Sequence, residues 1–202
     1  MPEGIDLSKA GPLLCGGITV FQPLLQHHID ATAKVGVIGI GGLGHMALGF
    51  FNAWGCEVTA FSSNPEKYDE IRRMGAHHIL DSRDSGALAA AQGTLDMIVS
   101  TVNVKLDWNT YLGLLKPHGV LHFVGATLEP LDIQAFSLIG GQKTVSGSPT
   151  GSPAQLRTMI DFAARKQVEP VVEEFAMSDV NHAMEHLKSG KARYRIVLKN
   201  DF

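Results

Sequence analysis

Cysteine is scarce in this chain: 202 residues carry two, Cys15 and Cys56. Two thiols so far apart make no disulfide framework, and they fit a reducing cytoplasm. Basic blocks are also missing. Seventeen Lys and Arg stand against twenty Asp and Glu, for a net charge of -3. That argues against nucleic acid or an anionic membrane surface as a partner. No apolar run reaches about 18 residues, so no membrane-spanning helix is expected. The opening MPEGIDLSKAG lacks the basic and apolar pattern of a secretory leader. Internal repeats and low-complexity linkers are absent. What remains is 45% hydrophobic and 18% charged, the composition of one globular core with room for a smaller appendage.

The middle of the chain alternates two kinds of signal. KVGVIGI (34–40) reads as a short buried strand, rich in β-branched residues. GGLGHMALGFFNAW (41–54) reads as a helix closed by Gly55. EVTAFSS (57–63) is a second strand, and PEKYDEIRRMG (65–75) a helix with Pro65 in its first turn and Gly75 as its stop. HHILD, LDMIVSTV, GVLHFVGA and KTVSGS are further strands. Between them lie helices at DSGALAAAQ and LDWNTYLGLLK, the latter expected to end at Pro117. SPAQLRTMIDFAARKQ is a long helix with Ser152 at its cap and Pro153 at its first position.

This alternation predicts an α/β fold built of right-handed parallel βαβ units. Six strands fit a doubly wound parallel sheet of order 3-2-1-4-5-6, the Rossmann arrangement. Three regions follow: a helical lead-in over 1–30, a dinucleotide-binding domain over 31–168, and a C-terminal strand-helix-strand over 169–202.

Gly39, Gly41 and Gly44 form G-x-G-x-x-G between the first strand and first helix. The first glycine permits a tight turn, the second lets a pyrophosphate approach bare backbone, and the third lets helix and strand pack closely. The helix N-terminus adds free N–H groups and the positive end of its dipole. Gly39, Ile40, Gly41, Gly42, Leu43 and Gly44 are therefore cofactor-binding candidates. A site for NAD usually carries an acid at the end of the second strand, on the ribose hydroxyls. Here that place holds Phe61, Ser62, Ser63 and Asn64. No carboxylate stands there to repel a 2′-phosphate. Ser62 and Ser63 donate hydrogen bonds and Lys67 adds charge, which favours NADP. NAD stays open if these are ordinary turn and cap residues before Pro65.

The stretches LSKAGPLLCGGITVFQPL, GVIGIGGLGHMAL, VTAFSS, LLKPHGVLHFVGA and VSGSPTGSPAQL resemble the zinc-dependent medium-chain alcohol dehydrogenases. The branch they look most like is that of the cinnamyl alcohol dehydrogenases and NADP-dependent aldehyde reductases. The resemblance covers essentially the whole chain, in the family's order and spacing. It implies hydride transfer between NADP(H) and a primary alcohol or aldehyde. Family members are longer, and the Gly-His-Glu motif, the first catalytic cysteine and the structural zinc lobe have no counterpart here. The resemblance thus implies the cofactor-binding portion of such an enzyme, catalytically inactive as it stands.

Cys15 matches the family's last catalytic zinc ligand, without its partners, and Thr19 a threonine near the nicotinamide. Ser62, Ser63, Asn64 and Lys67 match the 2′-phosphate segment, where Pro65 and Glu66 depart from the family's more basic version. Thr101, Gly125, Ser148, Pro149 and Thr150 match positions lining the nicotinamide side. Arg195, or its neighbour Arg193, matches a basic residue that can face the pyrophosphate. The family's dimers pair sheet edges near the sixth strand, so a homodimer is expected.

Other constellations are weaker. His182 and His186 form H-x-x-E-H on one helix face, but no third ligand is evident, and a solvated face capped by Ser178 is the expectation. His27–His28 and His77–His78 read as a helix end and a strand start. His45, in the first helical turn, is a candidate for a cofactor or interface contact. Cys56, Trp108 and Tyr111 read as core. SGSPTGS is only loosely like a hydrolase nucleophile turn. A different class, a non-enzymatic nucleotide-binding or interaction module, stays open, because RYRIVLK (193–199) would otherwise leave an open strand edge.

Overall fold

The computed structural model describes residues 2–202. Two short helices, α1 (Leu7–Pro12) and α2 (Ile18–Gln26), are joined by a single π-helical turn at Leu13–Gly17. Then come β1 (Lys34–Ile38), α3 (Gly44–Trp54), β2 (Glu57–Phe61), α4 (Tyr68–Arg73), β3 (His78–Leu80), α5 (Ser85–Ala90) and β4 (Leu95–Ser100). They are followed by α6 (Trp108–Leu114), β5 (Leu115–Phe123), α7 (Ala135–Ile139), β6 (Thr144–Gly147) and α8 (Pro153–Lys166). The tail holds β7 (Val172–Ala176), α9 (Val180–Lys188) and β8 (Arg195–Lys199).

The first six strands form one parallel sheet of order β3-β2-β1-β4-β5-β6, as the alternation predicts. Successive side chains on a strand face opposite sides, and each side has its own core. Val35, Val37, Met97 and Val99 join Phe21, Phe50, Phe51 and Met159 on the side of α2, α3 and α8. Ile38, Ile98 and Leu121 join Phe61, Trp108, Tyr111 and Leu112 on the other. Both faces are covered, so these strands read as near-continuous apolar runs.

The punctuation works as read. Gly55 and Gly75 follow α3 and α4 with φ of 114° and 113°, which side chains with a Cβ rarely adopt. Ser152 caps α8 in a full capping box with Gln155. Two boundaries differ. The helix expected to end at Pro117 ends at Leu114, and Pro117 lies inside β5. Leu115 is drawn into the core beside Leu95, and Lys116, preceding a proline, favours extended backbone. Ser178 does not cap α9. Its amide and hydroxyl both donate to Asp201, and the helix starts after a 3-10 turn at Met177–Asp179.

The tail closes on itself. β7 and β8 pair in parallel with α9 between them. The lead-in touches the tail, through contacts of α1 with β8 and an ion pair from Lys9 to Glu169 ahead of β7. Among the described residues no helix is long and apolar enough to cross a membrane.

Candidate functional site

Nearly all of the predicted site residues gather at the carboxyl edge of the six-stranded sheet, where β1 and β4 diverge in connection. Crevices at such switch points are where open α/β sheets bind ligands.

The glycine turn is shaped by three distinct constraints. Gly39 leaves β1 with φ of 87°. A Cβ at Gly44 would lie 1.9 Å from the Gly39 oxygen, so only glycine lets α3 start this close to the strand. A Cβ at Gly41 would meet nothing within 4 Å. Gly41 thus faces open space, as a cradle for a pyrophosphate requires. Ile40 and Leu43 pack inward on the core. Thr101, just after β4, locks the turn: its hydroxyl, with one proton to donate, lies 2.7 Å from the Gly39 oxygen and 3.1 Å from the Ile38 oxygen. Gly125, after β5, accommodates this region, since a Cβ there would sit 2.2 Å from the Val102 oxygen.

Arg195 crosses the turn. A Cβ on Gly42 would be 3.1 Å from its Nη1, and one on Gly16 would be 3.0 Å from its Nη2. Arg195 makes no ion pair among the described residues. Arg193 points elsewhere, over the Tyr194 ring at 5.7 Å and toward the carbonyls of Lys191 and Ala192. Between these two candidates, the geometry selects Arg195 as the cation beside the turn.

The lead-in docks on the same edge. The Thr19 hydroxyl lies within reach of the Cys15 oxygen at 2.8 Å and the Pro149 oxygen at 3.2 Å. Cys15, Thr19 and Pro149 are thereby brought together, with Ser148 and an exposed Thr150 alongside. Cys15 itself is exposed and its thiol free. A catalytic zinc site takes about three protein ligands. Among the described residues no group of three His, Cys, Asp or Glu could hold a metal ion. One thiolate does not make that centre.

At the end of β2, Asn64 caps the 3-10 turn Pro65–Lys67 by accepting from the Glu66 amide at 3.0 Å. Ser62 and Ser63 are half-buried and Lys67 lies close by in sequence. A residue that the sequence reading missed joins them. Arg83, from the loop after β3, donates to the Ser63 oxygen, and its guanidinium also contacts Asp81 at 3.4 Å. In sequence it is one arginine in a polar loop, and nothing local marks its contact with residue 63.

Two histidines are buried with partners that the local sequence does not announce. His45, a candidate for a cofactor or interface contact, is 3% exposed and meets the tail inside the molecule, where the Val171 amide donates to its Nε2 at 3.1 Å; burial pushes its pKa down to about 4. His122, in β5, is fully buried, and burial pushes it to about 4 too. Its Nδ1 lies 2.9 Å from the Ser146 hydroxyl and 3.0 Å from His27 Nε2, and its Nε2 lies 2.9 Å from the Ser148 hydroxyl. A histidine inside the apolar run GVLHFV is the signal that could have found it. The H-x-x-E-H pair does not converge: His182 goes to Asp179 at 3.1 Å and His186 to Glu173 at 2.6 Å. His186 is thus partly covered, not on a wholly solvated face.

The profile of the zinc-binding dehydrogenase family matches residues 42–165. Aldehyde reductase AdhA of a Synechocystis strain is 58% identical over 200 residues, covering 99% of this chain and 60% of that protein. The structure of a cinnamyl alcohol dehydrogenase from Sorghum bicolor superposes with a TM-score of 0.91 at 43% identity, covering 98% of this chain and 56% of that one. The crystal structure of CAD from Helicobacter pylori, complexed with NADP(H), superposes with a TM-score of 0.81 at 34% identity, covering 96% and 55%. This chain therefore spans 55% to 60% of the length of these relatives. With its glycine turn, its sheet order and a matching profile over more than half its residues, the chain belongs to the zinc-binding dehydrogenase family.

Proposed function

We propose that this chain is the cofactor-binding portion of an NADP-preferring alcohol dehydrogenase or aldehyde reductase. The observation that carries the reading is the open face of Gly41 with the Arg195 guanidinium, which makes no ion pair among the described residues, against the adjacent Gly42. Backbone N–H groups at the start of α3, the helix dipole and that cation all favour a pyrophosphate in one place. Residues 31–168 form the dinucleotide-binding domain in this reading, and 1–30 and 169–202 belong with a catalytic domain.

Bound dinucleotide supplies the hydride; the chain supplies binding and orientation. Thr101 fixes the turn, Gly125 leaves room beside it, and Thr19 and Pro149 hold the lead-in against the far end of the cleft. Preference for a 2′-phosphate is supported by the absence of an acid at positions 61–64 and by Ser62, Ser63, Lys67 and Arg83 around them, Arg83 being shared with Asp81. The NADP(H) complex of the Helicobacter pylori relative points the same way, and the relatives' names support an alcohol or aldehyde as the substrate class. Cys15 would give one thiolate to a zinc centre whose other donors lie outside these residues. The 202-residue chain alone should therefore reduce no aldehyde.

Calorimetry with NADPH and NADH tests the reading. NADPH should bind more tightly. No binding of either would sink the proposal, and tighter NADH binding would reverse the preference. A homodimer and a cytoplasmic location belong to the same proposal. The rival, a non-enzymatic nucleotide-binding module, predicts that joining this chain to the zinc-ligand segment of a longer relative still yields no aldehyde reduction.

A further inference from the structure

His45 sits one residue beyond the last glycine of the turn, and both its ring nitrogens are engaged. Nδ1 lies 3.0 Å from the Gly41 oxygen, which also accepts the His45 amide at 3.1 Å. On the far side the Val171 amide donates to Nε2 at 3.1 Å. A carbonyl only accepts and an amide N–H only donates, so the proton is on Nδ1 and Nε2 is bare. Burial keeps the ring neutral, as this arrangement needs. The ring also stacks on Tyr194, centroids 4.9 Å apart and planes 20° from parallel.

The contacts continue. The Val171 oxygen accepts from the amides of Tyr194 and Arg195, each at 3.2 Å. The Arg195 side chain then returns to the turn at Gly42. Gly41, His45, Val171, Arg195 and Gly42 thus form a closed ring of contacts. One half lies in the phosphate cradle and the other in the C-terminal tail.

We infer that His45 is a positioning residue that couples dinucleotide binding at the glycine turn to docking of the C-terminal strand pair. This rests on the proposed function. His45 turns the Gly41 oxygen toward the helix and holds Val171, so the cradle is set only when the tail is in place. Whatever binds at the turn then stabilises the tail, and the docked tail favours binding by the same factor.

Hydrogen exchange of the 202-residue chain with and without NADPH tests this, alongside calorimetry. In the unaltered chain NADPH should slow exchange at 39–45 and also across 170–199. His45→Phe keeps a ring against Tyr194 but removes both hydrogen bonds. It should weaken NADPH binding about tenfold and abolish the added protection of 170–199, while 39–45 stays protected. Val171→Pro removes the amide that donates to His45 Nε2 while leaving Arg195 in place, and it too should abolish tail protection. If NADPH still protects the tail in the variants that fold, the coupling is wrong. An unaltered chain that binds NADPH without tail protection overturns the coupling alone. One that does not bind NADPH overturns the proposed function and the coupling with it.

Discussion

Gly41 and Gly44 lie three residues apart, and adding a methyl group should harm them in different ways. At Gly44 the new carbon would press on the Gly39 oxygen at 1.9 Å. Gly44→Ala should lower stability by about 1–3 kcal/mol, the usual cost of overpacking, seen as a lower urea midpoint. At Gly41 the methyl group meets open space. Gly41→Ala should keep its midpoint and lose NADPH affinity in calorimetry; unchanged affinity would remove the turn from the binding site. Arg83→Gln should weaken NADPH by about tenfold, the worth of one charge-assisted bond, and leave NADH unchanged. Equal losses for both dinucleotides would make Arg83 structural. These residues also show what a sequence reveals. The glycine spacing is local and was legible, and so was the missing acid after β2. Arg83 was not, because its partner Ser63 lies 20 positions away and the contact exists only once β2 and β3 pair.

At the scale of elements, β5 is unusual in burying a titratable group. His122 has a folded pKa of about 4, against about 6.5 when unfolded, and His45 is alike. Between those values the unfolded chain takes up protons that the folded chain refuses. The stability these groups allow is full above about pH 6.5 and is lost as pH falls toward 4, by about 1.4 kcal/mol per pH unit for each. Urea midpoints should fall from pH 7 to pH 5, and His122→Gln should show a shallower slope. Equal midpoints at both values would contradict the buried neutral state. The strands and their order were legible because each strand is a short apolar run bounded by glycine, proline or a cap. The start of β5 was not, because burial of Leu115 outweighed the break suggested by Pro117. The link from His27 to His122 spans 95 positions and has no local signature.

For the whole molecule, the edge strand β6 and the apolar residues Leu128, Phe136 and Ile139 before it are exposed. An open edge flanked by apolar surface invites pairing. Light scattering should give twice the chain mass at micromolar concentration; a clean monomer at high concentration would count against the proposed homodimer. The gathering of site residues on one sheet edge followed from the topology, which the sequence implied. The place of the tail over the glycine turn did not, since it depends on how β7 and β8 dock. That placement has a consequence for biosynthesis. Arg195 belongs to the last strand, so a nascent chain on the ribosome displays its glycine turn long before the guanidinium that crosses it has been made. The turn and its neighbouring cation can come together only once residue 195 has been made and β8 has docked.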